Sequence, residues 1–201
     1  MFISSKINSM TDNLKKLALN NNFDESMIRD AYLYACHKDI EVIKPGNVNI
    51  NSPHHDTTAS DYLISSINSG SELFYDNYSL GDRILNAIVA TKKETSMNTN
   101  LGIVLLCAPI AHALLNYKEM SLKEAITKTI DNATSDDTVK ICEAINIANP
   151  GGLGDVLDYD TKSMPAVKLR EIMSYSAQYD RISYQYHNNY HKMKLCVYHL
   201  N

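Results

Sequence analysis

The sequence lacks paired cysteines, an apolar run of membrane-spanning length, and any surplus of positive charge. Its four cysteines, Cys36, Cys107, Cys142 and Cys196, lie far apart and form no C-x-x-C pair. That pattern suits a reducing compartment rather than a disulfide framework. Three of them fall in apolar stretches expected to be helical, where a thiol packs as a small hydrophobe. The longest apolar run, Leu101 to Leu115, is too short to cross a bilayer and is interrupted by Pro109 and His112. It reads as a buried helix, so no membrane partner is expected. The chain does not open on a basic start, apolar run and small-residue cleavage site, and a cytoplasmic protein is expected. A formal net charge of −4 gives no global basic field, which excludes nucleic acid as an expected partner. Strand alternation, internal repeats and low-complexity tracts are also missing.

What is present is helical periodicity. Ile28, Ala31, Tyr32 and Ala35 recur at helical spacing after Asp24, an expected N-cap. "LGDRILNAIVATKKE" repeats the pattern through Leu80, Ile84, Leu85, Ile88 and Val89. Ser121 and Glu124 form a capping box at the head of "SLKEAITKTIDNA". Asp136 and Asp137 occupy the first turn of "SDDTVKICEAINIAN", where the helix dipole favours carboxylates. The stretch from Ala166 to about His191 reads as one long helix, with Leu169, Ile172 and Met173 on one face. The expected fold is all-α, and 201 residues suffice for a single compact multi-helix domain over 1–201 with a real core.

Three loops and the tail carry the chemistry. Lys44-Pro45-Gly46-Asn47 places a cation beside a turn whose backbone N–H groups are exposed, which suits a phosphate. The same residues also make an ordinary tight turn with a solvated lysine. In "SPHHDTT", Asp56 suits a divalent metal carrying phosphates or a general base, and His54 or His55 suits donation to a phosphate oxygen. The bland alternative is that Asp56 or Thr57 caps the helix that carries Asp61. Pro150-Gly151-Gly152-Leu153-Gly154, followed by Asp155 and Asp158, is neither a Walker loop nor a Rossmann turn. An αL helix terminator needs one glycine rather than three.

In the tail, Arg181 and Gln185 share a helix face, as do His187 and His191. A surface pair is the expected reading of the two histidines. Asp180 and Arg181 point in different directions. Tyr184, Tyr190 and Tyr198 mark either an interface, as in a homodimer, or a half-buried helix. Finally, Asn98, Thr99 and Asn100 stand at the head of the apolar run. Capping needs one of them; the surplus points to an anion- or ribose-binding rim at the positive end of a buried helix.

Taken together, "KPGNVN", "HHD", "NTNLGIVLLCAPIA", "ANPGGLG" and "YDRISYQY" resemble the triphosphoribosyl-dephospho-CoA synthase family, in the family's order, from about Glu41 to Tyr186. The resemblance implies an all-helical enzyme that takes ATP, with Mg²⁺, and dephospho-CoA. The acceptor's 2′-hydroxyl attacks the ribose C1′ of ATP, adenine leaves, and the triphosphate stays on the transferred sugar. It implies catalytic roles for Asp56 and His54, and metal binding by Asp56 and Asp155. Nucleotide contacts would come from Lys44, Gly46, Asn47, Asn98, Thr99, Asn100, Gly151, Gly152, Gly154, Arg181 and Gln185. Competing readings are a related C1′–N transferase or glycohydrolase with another acceptor, and a nucleotide-binding homologue without catalysis. The chain ends fifteen residues beyond Tyr186, which reads as short at the C-terminus for this family.

Overall fold

A computed structural model describes residues 24–43, 48–52, 57–151 and 167–191. Among them are eight helices and no strand. These are α1 Glu25–Glu41, α2 Ala59–Leu73, α3 Leu80–Glu94, α4 Leu101–Asn116, α5 Leu122–Asn132, α6 Ser135–Ala148, α7 Leu169–Ser176 and α8 Arg181–His187. The all-α expectation holds. None of the described helices is long and apolar enough to cross a membrane.

Local signals set most helix starts. Asp24 accepts from the N–H of Met27, and Ser121 and Glu124 close their capping box. Thr134 and Asp137 form a second box at the head of α6. The cap of α2 is Thr58, boxed with Asp61, so neither Asp56 nor Thr57 is the capping residue. At the end of α6, Asn149 takes the left-handed conformation at φ 47°. The glycines that follow are therefore not needed to stop that helix.

One hydrophobic cluster gathers residues from all eight helices, from Ile28 and Tyr32 on α1 to Tyr186 on α8. In α1 the inward positions are Ile28, Tyr32, Cys36 and Ile40, while Ala35 faces solvent. Helix α3 lies at the centre, against α2, α4 and α6. The closest approach is at Gly81, where a Cβ would come within 2.7 Å of the Asp137 Cα.

The tail departs from expectation. It breaks into α7 and α8, with Asp180 capping α8 by accepting from the N–H of Ser183 at 2.6 Å. A break without glycine or proline leaves the apolar periodicity running through it, so the pattern alone reads as continuous. Because α8 ends at His187, His191 lies beyond it and the two histidines are not a helical pair. Tyr190 is buried in the core at 3% exposure, so it belongs to no external interface.

Helix α4 is built around Pro109. Proline has no N–H, so the carbonyl four residues back, that of Leu105, loses its intrahelical donor. The Tyr186 hydroxyl donates to that carbonyl at 2.6 Å, and the Tyr190 hydroxyl donates to the carbonyl of Leu106 at 3.1 Å.

Candidate active site

The N-terminus of α4 opens onto a cavity of about 260 Å³. Its walls include Asn98, Thr99 and Asn100, the first turn of α4 through Gly102 and Ile103, and Asp39, Val48 and Tyr62. Within the first turn, the N–H of Leu101 donates to Oδ1 of Asn98, and the first intrahelical bond runs from Val104 to the Asn100 carbonyl. The amides of Gly102 and Ile103 thus lie at the positive end of a sixteen-residue helix, on the cavity wall.

The three polar residues of the rim divide the work. Asn98, two residues before the N-cap Asn100, accepts from the N–H of Leu101 and is exposed. Thr99, only 7% exposed, bonds the hydroxyl of Ser65 on α2. Asn100 is 5% exposed and shares its two amide hydrogens among the Ser65 carbonyl, Ser69 Oγ and Thr91 Oγ1, at 3.2, 3.1 and 3.1 Å. Ser69 donates in turn to the Ser65 carbonyl, so the Tyr32 hydroxyl donates to Ser69 at 2.7 Å. This buried seam ties α1, α2 and α3 to the start of α4. Much of the polar surplus in "NTN" is therefore structural, and it rigidifies the floor of the cavity.

The other motifs arrive from several directions. Val48 follows Asn47 directly and Tyr62 lies in the first turn of α2, just after "HHDTT"; both line the cavity. The intervening positions, Lys44, Gly46, Asn47, His54, His55 and Asp56, lie outside the described residues, as do Gly152, Gly154, Asp155 and Asp158. The tail motif reaches the same end of α4: Cδ1 of Ile182 lies 3.5 Å from where a Cβ on Gly102 would stand. Contacts then ascend together, Ile182 at Gly102, Tyr186 at Leu105 and Tyr190 at Leu106. Helix α8 thus runs parallel to α4, with Arg181 exposed at the same end as the rim. The side-chain oxygen of Gln185, one turn beyond Ile182, is buried and has no hydrogen-bond partner, alone in this among the described residues.

The sequence model of one protein family, ATP:dephospho-CoA triphosphoribosyl transferase, matches residues 25–200. The chain belongs to that family. The family's activity is the transfer of a triphosphoribosyl group from ATP to dephospho-CoA. Comparison with curated proteins and with solved structures gives no match.

Two features of the transferase's cavity escape sequence reading. Asp39 and Tyr62 line it, yet each sits inside an ordinary amphipathic helix with no motif around it. Gly151 behaves in the opposite way. It belongs to a conspicuous glycine cluster, but a Cβ there would meet nothing within 4 Å, and it is not on the cavity wall. His187 and His191 are both exposed, and no cluster of three metal-ligating side chains occurs among the described residues.

Proposed function

We propose that the cavity at the head of α4 is where the transferase binds ATP and opens its C1′–N bond. The observation that carries this reading is the convergence of "NTNLG" and "YDRIS", some eighty positions apart in sequence, at one helix end; one turn further along α8, Gln185 carries a buried oxygen without a partner. Phosphate oxygens suit the amides of Gly102 and Ile103, with Lys44 and Arg181 supplying positive charge. Asn98 and Thr99 face ribose or phosphate oxygens from the rim, and Asn100 holds the rim in place. Gly46, Asn47, Gly152 and Gly154 are the motif residues suited to backbone contact with the nucleotide, while Gly151 is off the cavity wall.

Leaving adenine builds oxocarbenium character at C1′, which a nearby carboxylate stabilises, as in glycoside chemistry. As the C1′–O bond forms and the C1′–N bond breaks, Asp56 accepts the proton of the acceptor 2′-hydroxyl, adenine leaves taking up a proton in exchange, and His54 donates to a phosphate oxygen. Asp56 and Asp155 are the residues that would hold a Mg²⁺ ion, for which one or two carboxylates suffice beside phosphate and water oxygens. Bound there, the ion would neutralise triphosphate charge. The thiols of Cys36 and Cys107, neither in a disulfide, suit a cytosolic location.

The orphan on Gln185 separates a functional from a structural role. Removing an unpaired buried acceptor relieves a desolvation penalty of about 1–3 kcal/mol, so Gln185→Leu melts at or above the wild-type temperature. If the oxygen receives a hydrogen bond from the nucleotide, the same variant raises KM for ATP about tenfold. Steady-state kinetics beside a thermal melt read both. An unchanged KM removes Gln185 from the site.

A further inference from the structure

We infer that Tyr186 is a positioning residue for the transfer reaction, acting through the proline defect of α4. Three observations support this, together with the assignment of Arg181 and Gln185 to the ATP site, on which the inference rests. First, α8 has only seven residues, too few to hold helical structure without tertiary contacts. Its height along α4 must be set from outside. Second, Pro109 leaves the Leu105 carbonyl without an intrahelical donor, and the fully buried Tyr186 supplies one at 2.6 Å. Tyr190 is a weaker second donor: its hydroxyl oxygen lies 3.1 Å from the Leu106 carbonyl and, at the limit of a hydrogen bond, 3.5 Å from that of Leu105. Third, the far end of α8 is clamped independently. Arg170 donates to the carbonyls of Tyr186 and His187 and pairs with Asp131 on α5 at 2.6 Å.

A missing bond at one fixed point of α4 therefore becomes a unique docking address for α8. A regular helix offers every carbonyl already paired, and a tyrosine could dock one turn higher or lower. The defect removes that ambiguity. It sets Ile182, about one turn below Tyr186, level with Gly102, with Arg181 next to Ile182 at the rim end and Gln185 adjacent to Tyr186. A displacement of about 1 Å in positioning groups is enough to lower turnover a hundredfold.

Four proteins test this: wild type, Tyr186→Phe, Pro109→Ala and the double variant, each assayed for melting temperature and for KM and kcat with ATP. Tyr186→Phe alone leaves the Leu105 carbonyl only the 3.5 Å contact from Tyr190 and is expected to lose about 4 °C in melting temperature. Its kcat/KM for ATP falls at least tenfold at temperatures where it is fully folded. Adding Pro109→Ala restores an N–H to Leu105, so the double variant regains the melting temperature of Pro109→Ala alone. It does not regain kcat/KM, because the link to α8 is still missing. Recovery of both quantities would reduce Tyr186 to a structural role and overturn the inference. An unchanged melting temperature in Tyr186→Phe would overturn the hydrogen-bond couple itself. Arg181→Ala is the control for the underlying site: unchanged kinetics there, with the stability coupling intact, would refute the ATP-site assignment and the positioning role with it.

Discussion

Arg83→Met is expected to lower the unfolding free energy by about 3 kcal/mol and the melting temperature by roughly 9 °C. Arg83 is 1% exposed in the interior of α3. Its Nη1 donates to the carbonyls of Leu73 and Tyr75 at 2.7 and 2.8 Å, closing the C-terminal end of α2. A guanidinium there also meets the negative end of the helix dipole. Its Nε donates to Nδ1 of His112 on α4 at 3.4 Å. Burial and the adjacent guanidinium bring the His112 pKa down to about 4, so the imidazole is neutral near pH 7 and free to accept. Methionine keeps the length and apolar stem but removes every donor, leaving two carbonyls and an imidazole nitrogen unmet. Lysine restores charge without the fork and recovers only part of the loss. Circular-dichroism melts of the two variants measure the effect, and a loss below 1 kcal/mol in Arg83→Met would refute this role.

Gly81→Ala is the second large effect, and its sign is diagnostic. In an open helix position the exchange gains about 1 kcal/mol from helix propensity. Here the new Cβ would stand 2.7 Å from the Cα and 2.9 Å from the carbonyl oxygen of Asp137, both backbone atoms that cannot swing aside. Parting the two helices would also stretch the 2.8 Å bond from the Gly81 N–H to Oδ1 of Asp137. The other oxygen of that carboxylate accepts from the N–H and hydroxyl of Thr134. The variant is expected to lose about 3 kcal/mol, read by urea unfolding. A gain in stability would show that α3 and α6 have room to spare.

These two residues also show where sequence reading stops. The extent of α3 was legible from its apolar spacing, and the caps at Asp24 and Ser121 follow from residue type at a helix start. Arg83 left a trace, since it falls three positions after Leu80 on the inward side of its helix. Gly81 left none, because close approach depends on a partner fifty-six positions away. The site divides in the same manner. Motif residues such as Asn98 and Gln185 are visible by type, and the family resemblance assigns both to nucleotide contact; Asn98 lines the cavity and Gln185 does not. Periodicity could not show that Asn100 turns inward to bond Ser65, Ser69 and Thr91. Nor could it show that Asp39 and Tyr62 join the cavity from α1 and α2. Those outcomes are decided by tertiary packing.

Pro109 connects the two levels. In sequence it reads as an interruption of an apolar run. In the fold, the carbonyl it orphans is the one Tyr186 fills, which makes the tail motif part of the same construction as the rim.

The most direct test of the site's chemistry follows both products at once. The protein is incubated with ATP, Mg²⁺ and dephospho-CoA, and free adenine and the mass of the acceptor are measured together. Triphosphoribosyl transfer predicts adenine and a triphosphoribosyl-bearing acceptor in equal amounts. Adenine without the adduct, or bound ATP with no adenine, would contradict it.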